Sequence, residues 1–140
     1  YRGQLYIAQD SIKRFKDKIR EITKRNRGIA IERVIRELNM LMPGWVRYFK
    51  LARAKTRLFE LDCWIKHKLR CYRWNQLKKS NTKMKLLMSM GVKRRQAAIT
   101  AYTGKGVWRM SQSISVQQAF NNVWFQKIGL INLEKTYLSL

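Results

Sequence analysis

Cys63, His67 and Cys71 are the residues whose types and spacing could do chemistry, and that chemistry would be a disulfide or a zinc site. On a helix, the step from Cys63 to Cys71 at about 1.5 Å per residue separates the two Cα atoms by about 12 Å. A disulfide needs them within about 7 Å. Cys63 and His67, at i and i+4, could share a metal, but Cys71 joins them poorly and no other Cys or His completes a tetrahedral set. The expectation is a pair of packed thiols in a reducing compartment, with no metal. Two-metal nucleases and polymerases need clustered carboxylates. Glu60 and Asp62, at i and i+2, point to different faces of a helix, while Glu32 and Glu37 read as solvated partners of Arg33 and Arg36. His67 has no evident nucleophile and base around it, so no catalytic residue is expected in this segment.

The remaining chemistry is charge. The chain has 31 Lys and Arg against 8 Asp and Glu, a net charge of +23. Glu134 is the only acid after Asp62. So much like charge in one compact body is self-repulsive, and a polyanion is its natural neutraliser. With 46% hydrophobic residues, five Trp, six Tyr and five Phe, the chain can bury a core, unlike a disordered basic tail. No apolar run approaches the roughly 20 residues that span a bilayer, and the opening YRGQLYIAQD is no signal peptide. A first residue other than Met leads to the expectation of a segment from a longer protein. One Pro and seven Gly favour helices.

The elements that must position these charges read as helices throughout. Ser11 is placed to cap a helix running to about Arg25, with Ile12, Phe15, Ile19 and Ile22 on one stripe. Lys13, Lys16, Arg20 and Lys24 flank that stripe on one side, and Arg14, Lys18 and Arg25 on the other. Asp17 and Glu21 can pair with them at helical spacing. Asn26-Arg27-Gly28 supplies the stop. A second helix from about Ile31 turns Ile31, Val34, Ile35, Leu38 and Met42 inward and is expected to break at Pro43-Gly44. A short aromatic segment, Trp45 to Ala54, follows with Trp45, Tyr48, Phe49 and Ala52 at helical spacing.

The longest helix is expected from Thr56 to about Lys79. Leu58, Leu61, Ile65, Leu69 and Tyr72 align within roughly 80° of arc. Lys66, Arg70 and Arg73 form a separate basic row expected to face solvent or ligand. Cys63, Trp64, His67, Cys71 and Trp74 make a semi-apolar back, so the helix should be sandwiched between neighbours. A short helix around Met84 to Met90 ends at Gly91, and a second from about Val92 to Tyr102 gives a helix-turn-helix-like pair. Thr103 to Ser113 reads as a Gly-containing loop, and Val116 to Lys127 as a final helix stopped by Gly129. The fold class is therefore all-α.

Basic rows with almost no compensating acid point to nucleic acid, since phosphate contacts supply much of such affinity. Trp45, Tyr48 and Tyr72 fall on apolar stripes and read as core, not as base-stacking platforms.

The run Arg14-Phe15-Lys16-Asp17-Lys18-Ile19-Arg20-Glu21-Ile22-Thr23 with Asn26-Arg27-Gly28 resembles the maturase-specific (X, or thumb) region of group II intron-encoded reverse transcriptases. So do Glu37-Leu38-Asn39, Gly44-Trp45-Val46-Arg47-Tyr48-Phe49, Leu61-Asp62 with Trp64-Ile65, Leu69-Arg70 and Trp74. Gly106-Val107-Trp108-Arg109, Gly129-Leu130 and Tyr137 resemble the DNA-binding (D) region of the same proteins. The resemblance implies a helical thumb over residues 1–79 followed by a small helical DNA-binding module over 80–140. It implies a thumb that grips primer–template duplex beside a finger and palm domain. It also implies surfaces that bind intron RNA, assist splicing and engage target DNA during mobility.

On that reading Lys13, Arg14, Lys16, Lys18, Arg20, Lys24, Arg25, Arg27, Lys66, Arg70 and Arg73 meet RNA or primer–template. Lys93, Arg94, Arg95, Lys105 and Arg109 meet DNA. The Tyr-Ala-Asp-Asp type polymerase motif is absent from these residues, so Mg²⁺ is expected only at a polymerase site of the parent protein, outside this chain. The ending just past Tyr137 resembles that of members without a Cys-rich endonuclease region. The implied setting is intracellular and reducing, a bacterial cytoplasm or an organelle. Two rivals stay open: a stand-alone helix-turn-helix DNA-binding regulator, and a structural RNA-binding protein of ribosomal type.

Overall fold

A computed structural model of the chain describes residues 2–51, 53 and 55–140, with only the backbone described for residues 2–8 and Thr56. Ala52 and Ala54, expected in the aromatic segment, lie outside the described residues. The described residues form nine α-helices and one 3₁₀ turn, with no strand among them. The all-α expectation holds.

Three long helices build the frame: α1 (Arg2–Ile22), α2 (Ile31–Leu51) and α3 (Leu58–Gln76). The apolar stripes read from spacing face the core: Ile12, Phe15 and Ile19 of α1, Ile31, Val34, Ile35, Leu38 and Met42 of α2, and Leu58, Leu61, Ile65, Leu69 and Tyr72 of α3 are buried, while Ile22, at the end of α1, is only partly so. Phe15 stacks edge-on against Phe49 at 5.4 Å and tilted against Trp45 at 5.5 Å, which joins α1 to α2. Tyr72 is fully buried as expected, whereas Trp45 and Tyr48 are half-buried at the rim of the core.

Several boundaries differ from the sequence expectation, each for an identifiable reason. Ser11 does not cap α1; it is buried inside a helix that begins at Arg2. No proline interrupts that stretch, so backbone bonding runs through Ser11 and leaves no free amide for it to cap. The helix ends at Ile22, where Thr23 Oγ1 donates to the Ile19 carbonyl (2.7 Å) and Arg27 Nη1 to the Ile22 carbonyl (2.8 Å).

Helix α2 passes straight through Pro43-Gly44. An interior proline costs about 3 kcal/mol relative to alanine, but Leu38, Met42, Val46 and Phe49 are all fully buried on one continuous stripe. Breaking the helix would take the last two off register. Helix α3 has 19 residues, shorter than α1 and α2 with 21 each, because a 3₁₀ turn (Lys55–Arg57) precedes it and Leu77 ends it in an extended conformation.

Helices α4 (Ser80–Ser89) and α5 (Arg94–Ala101) form the expected adjacent pair. Gly91, at φ +97°, closes α4: its N–H donates to the Met88 carbonyl, and that of Val92 to Leu87. The expected loop over 103–113 contains a helix, α6 (Val107–Ser111), with Met110 and Ser111 buried. The expected helix over 116–127 is two: α7 (Ile114–Ala119) and α8 (Asn122–Lys127). In an unbroken helix the Trp124 N–H would meet the Phe120 carbonyl. Instead Asn121 Oδ1 takes that N–H (2.9 Å) and Arg70 Nε donates to the carbonyl (2.8 Å). Gly129, at φ +89°, stops α8 as expected, and α9 (Leu133–Ser139) follows.

Helix α3 is sandwiched as expected, with α6 on one face, α9 on another and α2 beneath. Its C-terminal half pins the α1–α2 connection: the Ile29 N–H donates to Tyr72 Oη (3.1 Å), and Tyr72 Oη and Gln76 Nε2 both donate to the Ile29 carbonyl (2.6 and 2.8 Å). Asp62, buried, accepts from the Leu133 and Glu134 amides at the start of α9 (2.8 and 3.1 Å). Asn39 of α2 holds the Gly129 carbonyl (2.7 Å) and the Ile131 amide (2.9 Å). One buried cluster therefore contains residues from α1 through α9 and crosses residue 79.

Candidate nucleic-acid interface

Trp64 lies on the face of α3 that α1 approaches. Lys16 Nζ and Arg20 Cζ of α1 both stand 5.3 Å from its ring centroid, and Lys68 Nζ, one turn along α3, stands 6.0 Å away. Cations over the electron-rich face of an indole are favourable, so the ring holds three positive charges along one seam. Arg20, Lys24, Arg25 and Lys68 line an open groove of about 520 Å³ beside it, with Asp17, Glu21 and Thr23. Asp17 is engaged by Arg20 at 2.9 Å, as the helical spacing allowed. Burial pushes the Lys68 ammonium down from its ordinary value, and Arg25 and Arg20 push it further. Cys71 opposes the shift, and an anion placed here would meet several cations in charge-assisted contacts.

Lys68 also stands 5.9 Å from the ring of Trp108 in α6. The inner side of Trp108 rests on His67, with ring centroids 3.6 Å apart. His67 Nε2 lies 2.7 Å from Ser111 Oγ and 3.2 Å from the Trp108 carbonyl, and Cys71 Sγ lies 2.9 Å from Ser111 Oγ. The fold thus brings a serine and a thiol to the histidine that spacing left alone. Ser111 is fully buried and donates to the Trp108 carbonyl (2.7 Å), burial pushes the Cys71 thiol up, and among the described residues no carboxylate hydrogen-bonds to the group. The cluster locks α6 onto α3. Cys71 is the packed thiol expected; Cys63 is not, being exposed. Among the described residues no three His, Cys, Asp or Glu group as metal ligands.

Burial holds His67 below its ordinary value near 6.5, with Arg70 and Lys68 adding to the effect and the Trp108 carbonyl opposing it. Between the folded and unfolded values the unfolded chain binds more protons, so this contribution is present above about pH 6.5 and is lost as pH falls below it. We expect the stability difference between pH 7 and pH 5.5, measured by urea titration, to shrink in His67→Gln relative to the parent chain.

The other basic residues divide by environment. Lys13, Arg14, Lys18, Lys24 and Arg25 are exposed along or just after α1. Arg27 is engaged by Glu37, with nitrogen–oxygen distances of 2.6 and 3.1 Å, so Glu37 does not serve Arg33 or Arg36 as expected. Their hydrogen bonds raise the arginine and lower the carboxylate from their ordinary values.

The row Lys66, Arg70 and Arg73 does not face open solvent. Lys66 Nζ donates to Asn122 Oδ1 (2.8 Å), Arg70 holds the Phe120 carbonyl with its guanidinium 5.3 Å from the Phe125 ring, and Arg73 is half-buried beside Gln76. Residues 50 or more positions away in sequence turn up against this face, a relation that helical spacing carries no sign of. Accordingly, Arg70→Gln is expected to cost about 1–3 kcal/mol in chemical denaturation, with the Lys66→Gln change costing less.

Lys93, Arg94 and Arg95 are exposed together at the start of α5. Lys105 precedes α6 and Arg109 lies within it, both exposed. Helix α5 packs on α4 and α6 on α3, and α7 touches both, so the five residues lie on or just before two helices that share α7 as a support. Sequence spacing missed Trp64, Lys68 and Trp108. The available signal was a lone Lys68 four residues after Trp64 on an otherwise semi-apolar face.

Residues 12–91, 80 of the chain's 140, match the family of the group II intron maturase-specific domain. The chain belongs to this family. Lys16, Arg20, Trp64 and Lys68 all lie inside the matched segment, and Trp108 lies beyond it. A maturase-specific domain serves group II intron splicing, with group II intron RNA as its partner. No curated protein gives a significant match to this maturase-specific chain.

Proposed function

We propose that this chain binds structured group II intron RNA through the seam between α1 and α3, and thereby assists splicing. The observation that carries the reading is Lys16, Arg20 and Lys68 gathered round Trp64 within the maturase-specific segment. The same seam, with the exposed cations of α1, grips primer–template duplex when the chain forms the thumb of a reverse transcriptase whose finger and palm domain and Mg²⁺ site lie outside it. The exposed cluster Lys93, Arg94 and Arg95, with Lys105 and Arg109, contacts target DNA during mobility. On this division residues 1–79 serve RNA and primer–template, and 80–140 serve DNA, although one core supports both. Phosphate contact supplies the affinity in each case.

The division is tested by two variant sets, Lys16→Gln with Arg20→Gln and Lys68→Gln, and Lys93→Gln with Arg94→Gln and Arg95→Gln. Each is titrated against a group II intron RNA and a DNA duplex. The first set is expected to weaken RNA binding more than DNA binding, and the second the reverse. Equal losses on both ligands would leave an undivided basic surface, and a stand-alone DNA-binding regulator would lose DNA affinity in both sets while showing little for RNA.

A further inference from the structure

We propose that Trp108 and Lys68 form a subsite for one unpaired nucleotide of the bound RNA, the base stacking on the outer face of Trp108 and its phosphate meeting Lys68. The inference rests on the RNA-binding reading above and adds a ligand class to it. Trp108 is 41% exposed, although the neighbouring α6 residues Met110 and Ser111 are buried. Its inner side is held by the His67 ring, and its backbone carbonyl by His67 Nε2 and Ser111 Oγ. The indole is therefore fixed before any ligand arrives, and a preorganised aromatic plane binds with little further ordering.

Lys68 Nζ stands over that ring, 5.9 Å from its centroid, and Lys68 also belongs to the groove lined by Arg20, Lys24 and Arg25. A backbone following the cations of the groove passes Lys68 and reaches Trp108 next. A duplex keeps its bases stacked inside and offers nothing to an aromatic plane. An unpaired or bulged nucleotide can turn out and stack, and sequence-tolerant stacking on aromatic side chains is a common way of holding such bases.

The test uses the whole chain and three RNA hairpins of identical stem: fully paired, with a single bulged nucleotide, and with an abasic residue at the bulge. The parent chain is expected to bind the bulged hairpin at least fivefold more tightly than the paired one, and the abasic hairpin like the paired one. Trp108→Ala is expected to abolish the preference and leave paired-hairpin affinity within twofold, while Trp108→Phe keeps most of it. A parent chain that binds paired and bulged hairpins equally overturns the subsite and leaves the RNA-binding reading standing. A preference that survives in the abasic hairpin overturns it as well, and that arm needs no variant to fold. Failure to bind any of the three overturns the reading on which the subsite rests.

Discussion

Replacing Lys16, Arg20 and Lys68 together with Gln is expected to lower affinity for structured intron RNA by about 10–100-fold at low salt. The three side chains converge on Trp64, two of them at 5.3 Å and one at 6.0 Å from the ring centroid, and Arg20 and Lys68 line the adjoining groove. Each phosphate neutralised on a duplex releases condensed counterions and contributes about 0.9 to the slope of log K against log[salt]. Removing three contacts should flatten that slope by roughly 2–3 units, so the loss narrows as salt rises. The fold should survive, because none of the three belongs to the buried core. An equal number of exposed cations removed elsewhere on α1, Lys13, Arg14 and Lys18, is the control, and it should produce a smaller loss. Equal losses from the two sets would mean that net charge alone sets affinity and that Trp64 organises nothing.

The second large effect is on stability. Leu69 is fully buried on α3, in the stripe with Ile65 and Tyr72. Leu69→Ala removes apolar contact and leaves a cavity, at a cost of about 2–5 kcal/mol. For a domain near this size each kcal/mol moves the thermal midpoint by roughly 3–4 °C, so a fall of about 6–20 °C is expected. RNA affinity measured well below the new midpoint should be unchanged, since Leu69 reaches no surface. A variant with a normal midpoint and weakened RNA binding would show that this face of α3 is a binding surface.

Periodicity made the core legible because it is a local property. Ile31 to Met42 on α2 and Leu58 to Tyr72 on α3 repeat at helical spacing, and those are the residues the fold buries. Pro43 is a local break signal that the burial of Val46 and Phe49 beyond it overrides. Long-range polar tethers left almost no local mark. Asn39 holds the segment at Gly129 and Ile131, Asp62 caps α9 and Arg70 holds Phe120, each across 50 or more residues of sequence.

These partners explain why charged and amide side chains in the resemblance-bearing runs do structural work that their chemistry alone did not announce. For the candidate site, the α1 half was readable, since Lys16 and Arg20 follow a helical row. The α3 and α6 half was not: Trp64 and Lys68 are neighbours within α3, but Trp64 meets Lys16 and Arg20, and Lys68 meets Trp108, only once α1 and α6 come against α3.

The central claim, that RNA lies along the α1–α3 seam, is tested most directly by photo-crosslinking the whole chain to a group II intron RNA and mapping the crosslinked peptides. The account predicts crosslinks concentrated in the peptides carrying Lys16 to Arg25, Trp64 to Lys68, and Trp108. Crosslinks confined to the peptides around Lys93 to Arg95 and Lys127, with the seam unlabelled, would contradict it.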